Sequence, residues 1–277
     1  MFRVNTSTSG WAVTWRLLEL IFHASVRHIR KTHGNALIGL LMAILQSVTM
    51  LAVMVFMMDL LGMRRMAVRG DFVLYIVLYM MTGVFNFATY TQTLGAVAKS
   101  DGPTSAMMKH SPMNPIVAIG SAALGTLYLQ VLSAAAILFF YHTLWTPITI
   151  HEPQYVFGTF ILSWFSGIAT GMIFKAATPW QPELVGTLTS IYSRMNMIFS
   201  GKMMLANSTP GYILAMYSWN PLFHTIDQTR GFMFENYHPH YSSITYPIYV
   251  SLAMMMLGLM GEHYSNRHIS LSWGAGR

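Results

Sequence analysis

Long runs without Asp, Glu, Lys or Arg alternate with short charged stretches along the chain. The first run spans 36–58, the second 72–95, the third 116–143 and the fourth 155–174. A fifth, 184–201, is shorter and is interrupted by Arg194; a sixth covers 246–261 and extends back to Ser242 at most. A charge-free stretch of about 18 or more residues is long enough to cross the hydrocarbon core of a bilayer. In lipid every backbone N–H and C=O must be satisfied within the segment, so each run is expected to be a helix.

The segment before them follows a different rhythm. Over residues 11–31, Trp11, Trp15, Leu18, Phe22, Val26 and Ile29 recur at steps of three and four, while Arg16, Glu19, His23, Arg27, Arg30 and Lys31 fill much of the remaining surface. That pattern predicts an amphipathic helix, with Trp at one end and cations at the other. It is the pattern of a helix lying in a membrane interface. The alternative is an ordinary helix packed on protein. Gly34 and Asn35 separate it from the first span. The expected fold is therefore an all-α membrane protein, one transmembrane domain over 1–277. It comprises six transmembrane helices, an N-terminal amphipathic interface helix, and short re-entrant helices in the aromatic- and Pro-rich stretch 203–243 before the last span.

Composition agrees with this picture. The 277 residues are 54% hydrophobic and 9% charged, against about 25% charged in an average soluble domain. The net charge of +7 comes from scattered cations. There is no basic stripe or RNA-binding aromatic signature, so nucleic acid is not an expected partner. With the N-terminus inside, the inner segments hold Arg3, Arg16, Arg27, Arg30, Lys31, Lys99, Lys109, Lys175, Arg267 and Arg277, and the outer ones Arg64, Arg65, Arg69, Lys202 and Arg230. Ten against five favours both termini in the cytoplasm, although Arg64, Arg65 and Arg69 run against the bias. No cleavable signal peptide is evident, since the first ten residues are polar and the next segment carries charges.

Much chemistry is missing. With no cysteine there is no disulfide and no Cys-ligated metal. No G-x-x-x-x-G-K-[ST] pattern exists, and Gly201–Lys202 is followed by Met203, so the chain has no ATPase of that kind. H-E-x-x-H and G-x-S-x-G are absent as well. The eleven histidines invite a metal, but His238-Pro-His240 spans a proline and His23, His28 and His33 are five apart. They read better as exposed or interfacial residues. The 24 methionines are adjacent rather than patterned, which suits adaptable packing. Gly167-x-x-x-Gly171 is a close-packing signal in the fourth span. Arg194 is the sharpest single residue. A guanidinium within a span is a candidate for a substrate pathway, unless a salt bridge or snorkelling accounts for it.

The last third of the chain is more specific. Arg194-x-x-x-x-Phe199-Ser200-Gly201 is followed by Pro210, Trp219-Asn220-Pro221-Leu222, His224, Asp227 and Arg230. The series resembles the signature of the permease subunits of ABC-2-type exporters, above all those for capsular polysaccharide and O-antigen. There an R…F-S-G stretch closes the fifth helix and an N-P-L…(D/E)-x-x-R stretch follows in the re-entrant region. Met108 to Pro115 looks like that family's segment leading into the third helix. The Arg64–Arg69 cluster and the Met-rich spans depart from the family and leave the substrate open.

The resemblance implies a membrane subunit without its own motor and without catalysis. It would bind no cofactor itself. A separate P-loop ATPase would use the ATP, a second copy of the chain would complete the pore, and a lipid-linked glycan and periplasmic export proteins would be further partners. The setting would be a bacterial inner membrane. Residues 96–115 would be the cytoplasmic coupling loop, with Lys99, Asp101, Met108, Lys109, His110 and Pro112 facing the ATPase. Arg194, Tyr212, Tyr217, Trp219 and Phe223 would line the substrate pathway, the aromatics stacking on sugars unless they form an interfacial belt. Asp227 and Arg230, one helical turn apart, would brace the re-entrant helices. An exporter of a small drug or lipid is the rival within transport. An intramembrane transferase is the rival outside it, and would need a convergent His or acidic pair.

Overall fold

A computed structural model describes residues 10–60, 72–101, 115–145, 147–204 and 206–268. Arg64, Arg65, Arg69, Met108, Lys109, His110 and Pro112 lie outside them. The described residues form helices and connecting turns, with no strand among them. In chain order the helices are α1 (Gly10–His33), α2 (Ala36–Leu60), α3 (Phe72–Ala98), α4 (Pro115–Leu144), α5 (Pro153–Ala177), α6 (Pro182–Phe199), α7 (Gly211–Tyr217), α8 (Pro221–Met233) and α9 (Thr245–His268). A short 3₁₀ turn at Ala206–Ser208 precedes α7. Proline sits in the first turn of α4, α5, α6 and α8, where its missing N–H has no helical partner to lose.

Each charge-free run expected from the sequence falls on a helix, but the expected number of spans is not reached. Three helices among the described residues are long and apolar enough to cross a membrane: Leu37–Met57 within α2, all of α4 and all of α5. Helices of 25 to 30 residues are about 37–45 Å long, more than the ~30 Å hydrocarbon core requires. The other three differ for physical reasons. α6 has 18 residues and includes Glu183 and Arg194. α9 carries Glu262 and Arg267 in its last two turns. α3 has no charged residue in 27, but Thr82, Asn86, Thr89, Thr91, Gln92 and Thr93 make its described part less apolar, and it is buried without a break from Leu78 to Tyr90.

The centre of the bundle is α5, held between α3 and α9, all three running in the same direction. Gly167 and Gly171 let α3 approach this closely. A Cβ added at Gly167 would lie 2.6 Å from the Tyr90 carbonyl, and one at Gly171 would lie 2.9 Å from that of Leu94. On the opposite side Gly258 and Gly261 meet Met172 and Ala176. The small-residue pattern thus builds an interface inside this chain.

Polar side chains join the three helices. Ser163 Oγ donates to Asn86 Oδ1 at 2.8 Å, and Asn86 Nδ2 donates to the Thr82 carbonyl and to Thr229 Oγ1. The Tyr90 hydroxyl meets those of Thr170 and Tyr192 at 3.0 and 2.8 Å, and Ser166 meets Ser251 at 2.6 Å. Paired in this way, the groups escape the cost of an unsatisfied polar atom in a dry interior.

α1 packs on α4 through Leu20, Ile21 and Ala24, with Ile21 seated on Gly120. The apolar stripe expected from the sequence is mostly not the packed face. Ile29 is buried, whereas Trp11, Trp15, Leu18, Phe22 and Val26 are exposed. Gly34 (φ +71) turns the chain into α2, and the Asn35 side chain accepts the Leu37 N–H there.

Candidate functional site

The residues carrying the family resemblance meet where α6 ends. A helix leaves its last carbonyls without intrahelical donors, and here the chain must also turn sharply. Gly201 has φ +68, a left-handed conformation suited to glycine. A Cβ there would stand 2.4 Å from Phe223 Cδ2, so the space is filled as well. Gly83 of α3 presents bare backbone to the turn, since a Cβ on it would meet the Lys202 carbonyl at 2.8 Å.

Arg230 of α8 supplies donors to the carbonyls of the turn itself. Its Nη1 donates to the carbonyls of Gly201 at 3.2 Å and Met204 at 2.8 Å, and its Nη2 to that of Lys202 at 2.7 Å. The guanidinium is fully buried and lies 3.8 Å from the centroid of the Tyr79 ring. The Tyr79 hydroxyl donates to the Met204 carbonyl as well. A planar fork is the group that can bind several oxygens while stacking on a ring.

Asn220 holds the other end of α8. Its Oδ1 accepts the Leu222 N–H and caps the helix, while its Nδ2 donates to Asn196 Oδ1 at 2.9 Å and to the Phe199 carbonyl at 3.0 Å. One side chain therefore starts α8 and ties it to the last turn of α6. Pro221 follows at the first helical position, and Leu222 is buried against α3 with Phe87, Tyr90 and Leu94.

Asp227 and Arg230 do not pair with each other. The Asp227 carboxylate instead accepts the hydroxyls of Tyr237 at 2.5 Å and Ser242 at 2.7 Å. It thereby ties α8 to the segment before α9. Burial, with Tyr79 and the carboxylate nearby, pushes the Tyr237 phenol well above its ordinary value, so it stays a donor. His224 bridges Ser218 and Ser243: its Nδ1 accepts the Ser243 N–H, which leaves Nε2 to donate to the Ser218 carbonyl. That is the neutral tautomer, and burial lowers the pKa in its favour.

Lys202 is the anomaly. Its side chain is 1% exposed, its Nζ lies 3.6 Å from the Phe87 ring centroid, and it has no hydrogen-bond partner among the described residues. Desolvation lowers its pKa to about 7.

The expected pathway residues divide. Tyr212 and Trp219 are exposed, whereas Tyr217 and Phe223 are buried in a cluster with Ala206 and Leu214, packed by Phe199. Those two are therefore packing residues and not open to a passing substrate. Arg194 is exposed on α6 and takes no hydrogen bond or ion pair among the described residues. Of the expected coupling residues Lys99 is exposed and Asp101 half-buried. Beside them Lys175, 4% exposed, donates to the Ser100 carbonyl and hydroxyl and to the Asp101 carbonyl at 2.8–3.1 Å. It fastens the end of α5 to the chain leaving α3. No group of three His, Asp or Glu side chains among the described residues is placed to hold a metal ion.

Sequence reasoning missed Lys202, Tyr79, Tyr237 and Lys175. For Lys202 a signal was present: a lone lysine directly after an F-S-G turn, between two apolar segments. Compared with known proteins, the chain matches no family model and no curated protein.

Proposed function

We propose that the chain is the membrane subunit of an ABC exporter that moves a polysaccharide, of the lipid-linked capsular or O-antigen type, across a bacterial inner membrane. The observation that carries the proposal is the joint action of the residues bearing the resemblance. Phe199, Gly201, Asn220, Pro221, Leu222 and Arg230 form one interlocked element between α6 and α8. That residues at these spacings act together in one turn supports the resemblance.

In this reading α2 to α6 and α9 are the six spans, and α7 and α8 are the short helices that re-enter the outer leaflet. α3 would then be a span sheathed by protein rather than lipid. α6 presents Leu184, Leu188, Ile191, Met195 and Ile198 outward, and α2 presents Leu37, Leu41, Leu45 and Phe56. A second copy would cover part of that surface and enclose the pathway, with Arg194, Tyr212 and Trp219 open to it. A P-loop ATPase would bind at Lys99 and Asp101 and supply the work. Lys175 would pass the push into α5, and so into α3 and α9, because α5 is packed between them.

Co-purification tests the reading. Tagged protein extracted from its native membrane in mild detergent should bring down a P-loop ATPase whose ATP turnover depends on this chain. Recovery of the chain without any such ATPase would sink the proposal.

A further inference from the structure

At the same end of the bundle as the Arg230 turn lies an open cleft of about 260 Å³. It is built where the α4–α5 loop meets the end of α8. The His151 and Glu152 N–H groups donate to the carbonyls of Met233 and Phe232. Gly231 is packed against Pro239 so closely that a Cβ would meet it at 2.7 Å. Asn207 Nδ2 holds the His238 carbonyl at 2.8 Å. The floor is fixed by Tyr237, bonded to Asp227, and by Gln228, whose amide nitrogen donates to Ser242. The walls are therefore in place before any ligand arrives.

The carboxylates facing this space are unused. Glu152 makes no capping bond although it stands at the N-cap of α5. Neither Glu152 nor Glu235 has a cation within ion-pair distance among the described residues. The imidazoles of His151 and His238 line the cleft as well. Phe232, stacked on Tyr155 at 5.1 Å and 26°, and Tyr237 add aromatic surface.

We propose that this cleft holds a single uncharged or amino-substituted sugar ring of the exported glycan. The ligand class follows from the lining. Ionised carboxylates only accept hydrogen bonds, so they select a ligand dense in O–H or N–H donors. Aromatic rings beside such acceptors suit the C–H face of a pyranose. Two uncompensated negative charges repel uronates and phosphates. At about 260 Å³ the space falls just below the ~300 Å³ at which drug-sized pockets begin, which limits it to one ring. The inference rests on the polysaccharide reading for its ligand and names the kind of sugar.

Saturation-transfer NMR on the full chain in nanodiscs tests it, with methyl α-glucopyranoside, glucosamine and glucuronate as probes. The first two should receive transfer and glucuronate should not. Glu152→Gln with Glu235→Gln should weaken binding about tenfold, as expected when hydrogen bonds to charged acceptors are lost. Phe232→Ala should act in the same direction. Thermal melts of the variants verify that they stay folded. Equal transfer to all three probes, no transfer to any, or transfer unaffected by the variants would each overturn the proposal. So would a melting shift on adding Ca²⁺ that the double variant abolishes, if no sugar shows transfer, since the cleft would then be a cation site. Sugar binding by a chain that recruits no ATPase would leave the cleft standing and remove the exporter reading. An ATPase partner without sugar binding would do the reverse.

Discussion

Replacing Lys202 by methionine takes an ammonium out of a place where water does not reach it. The side chain is 1% exposed, has no hydrogen-bond partner among the described residues, and holds its Nζ 3.6 Å from the Phe87 ring centroid. A lysine lowered from 10.5 to about 7 by burial carries roughly 5 kcal/mol of penalty on its charged form, at about 1.4 kcal/mol for each tenfold change in ionisation. At pH 7 half the native molecules have already shed the proton, which trims the cost to about 4 kcal/mol. The desolvated cation–π contact returns about 2 kcal/mol. Methionine has nearly the same length and shape, and Arg230 grips only the backbone carbonyl of residue 202, so the turn keeps its clamp. Lys202→Met should therefore stabilise the protein by about 2 kcal/mol at pH 7, some 4–8 °C in melting temperature for a chain of this size.

The pH dependence is the sharper test, and its sign is fixed. The native pKa lies below the unfolded one, so between about 7 and 10.5 the unfolded chain binds more protons and wild-type stability rises with pH. Below pH 7 both states are protonated and the full penalty is present. Above 10.5 neither is protonated and the penalty has gone. The advantage of the variant should shrink steadily across that window, followed by tryptophan-fluorescence melts of the solubilised protein at a series of pH values. A less stable variant at pH 7 would mean that the ammonium has a favourable partner. A gain independent of pH would mean that the lysine keeps its ordinary pKa in the native protein, so that its proton is not linked to folding.

Arg230→Met should be the most damaging single change at the turn. It strips the Lys202 carbonyl of its guanidinium donor and leaves those of Gly201 and Met204 with only the Met204 N–H and the Tyr79 hydroxyl, and should cost about 3 kcal/mol, read as a lower melting temperature and less folded protein in the membrane. Arg230→Lys should rescue little, because an ammonium cannot reproduce the fork. Gly201→Ala should cost more than about 2 kcal/mol, from the left-handed backbone and from the clash with Phe223. Adding Phe223→Leu should recover only the clash; full recovery would show that φ at residue 201 carries no strain. Arg194→Ala should change stability by no more than about 0.5 kcal/mol, since the side chain is exposed and unpaired among the described residues. Glycan export, scored against protein abundance, should fall much further. Parallel loss of both would assign Arg194 to the fold.

Which parts of this molecule could be read from its sequence follows from how local each cause is. Charge-free runs announce helices because lipid and dry protein alike forbid an unpaired backbone, and Ala36–Leu60, Pro115–Leu144 and Pro153–Ala177 lie where such runs lie. The same equivalence is why the runs cannot say which helix meets lipid: α3 has no charged residue and α2 only Asp59 near its end, yet α3 is buried from Leu78 to Tyr90 while much of α2 is exposed. The order of importance of the two arginines, Arg194 and Arg230, was hidden for a related reason. Arg194 drew attention because it interrupts an apolar run, but a helix face can simply turn it outward. Arg230 sits in a stretch of ordinary polarity, and its task is set by carbonyls 26 to 29 residues away. The turn it serves was nevertheless foreseeable in principle. A glycine that ends a helix opens a turn whose carbonyls lie beyond the helical ladder, and in a dry setting they need a donor from elsewhere in the chain. The aromatics Tyr217 and Phe223 show the limit of that logic. Their spacing is the same whether they face a sugar or Phe199, and only the packing of α7 and α8 against the end of α6 decides that they face Phe199 and one another.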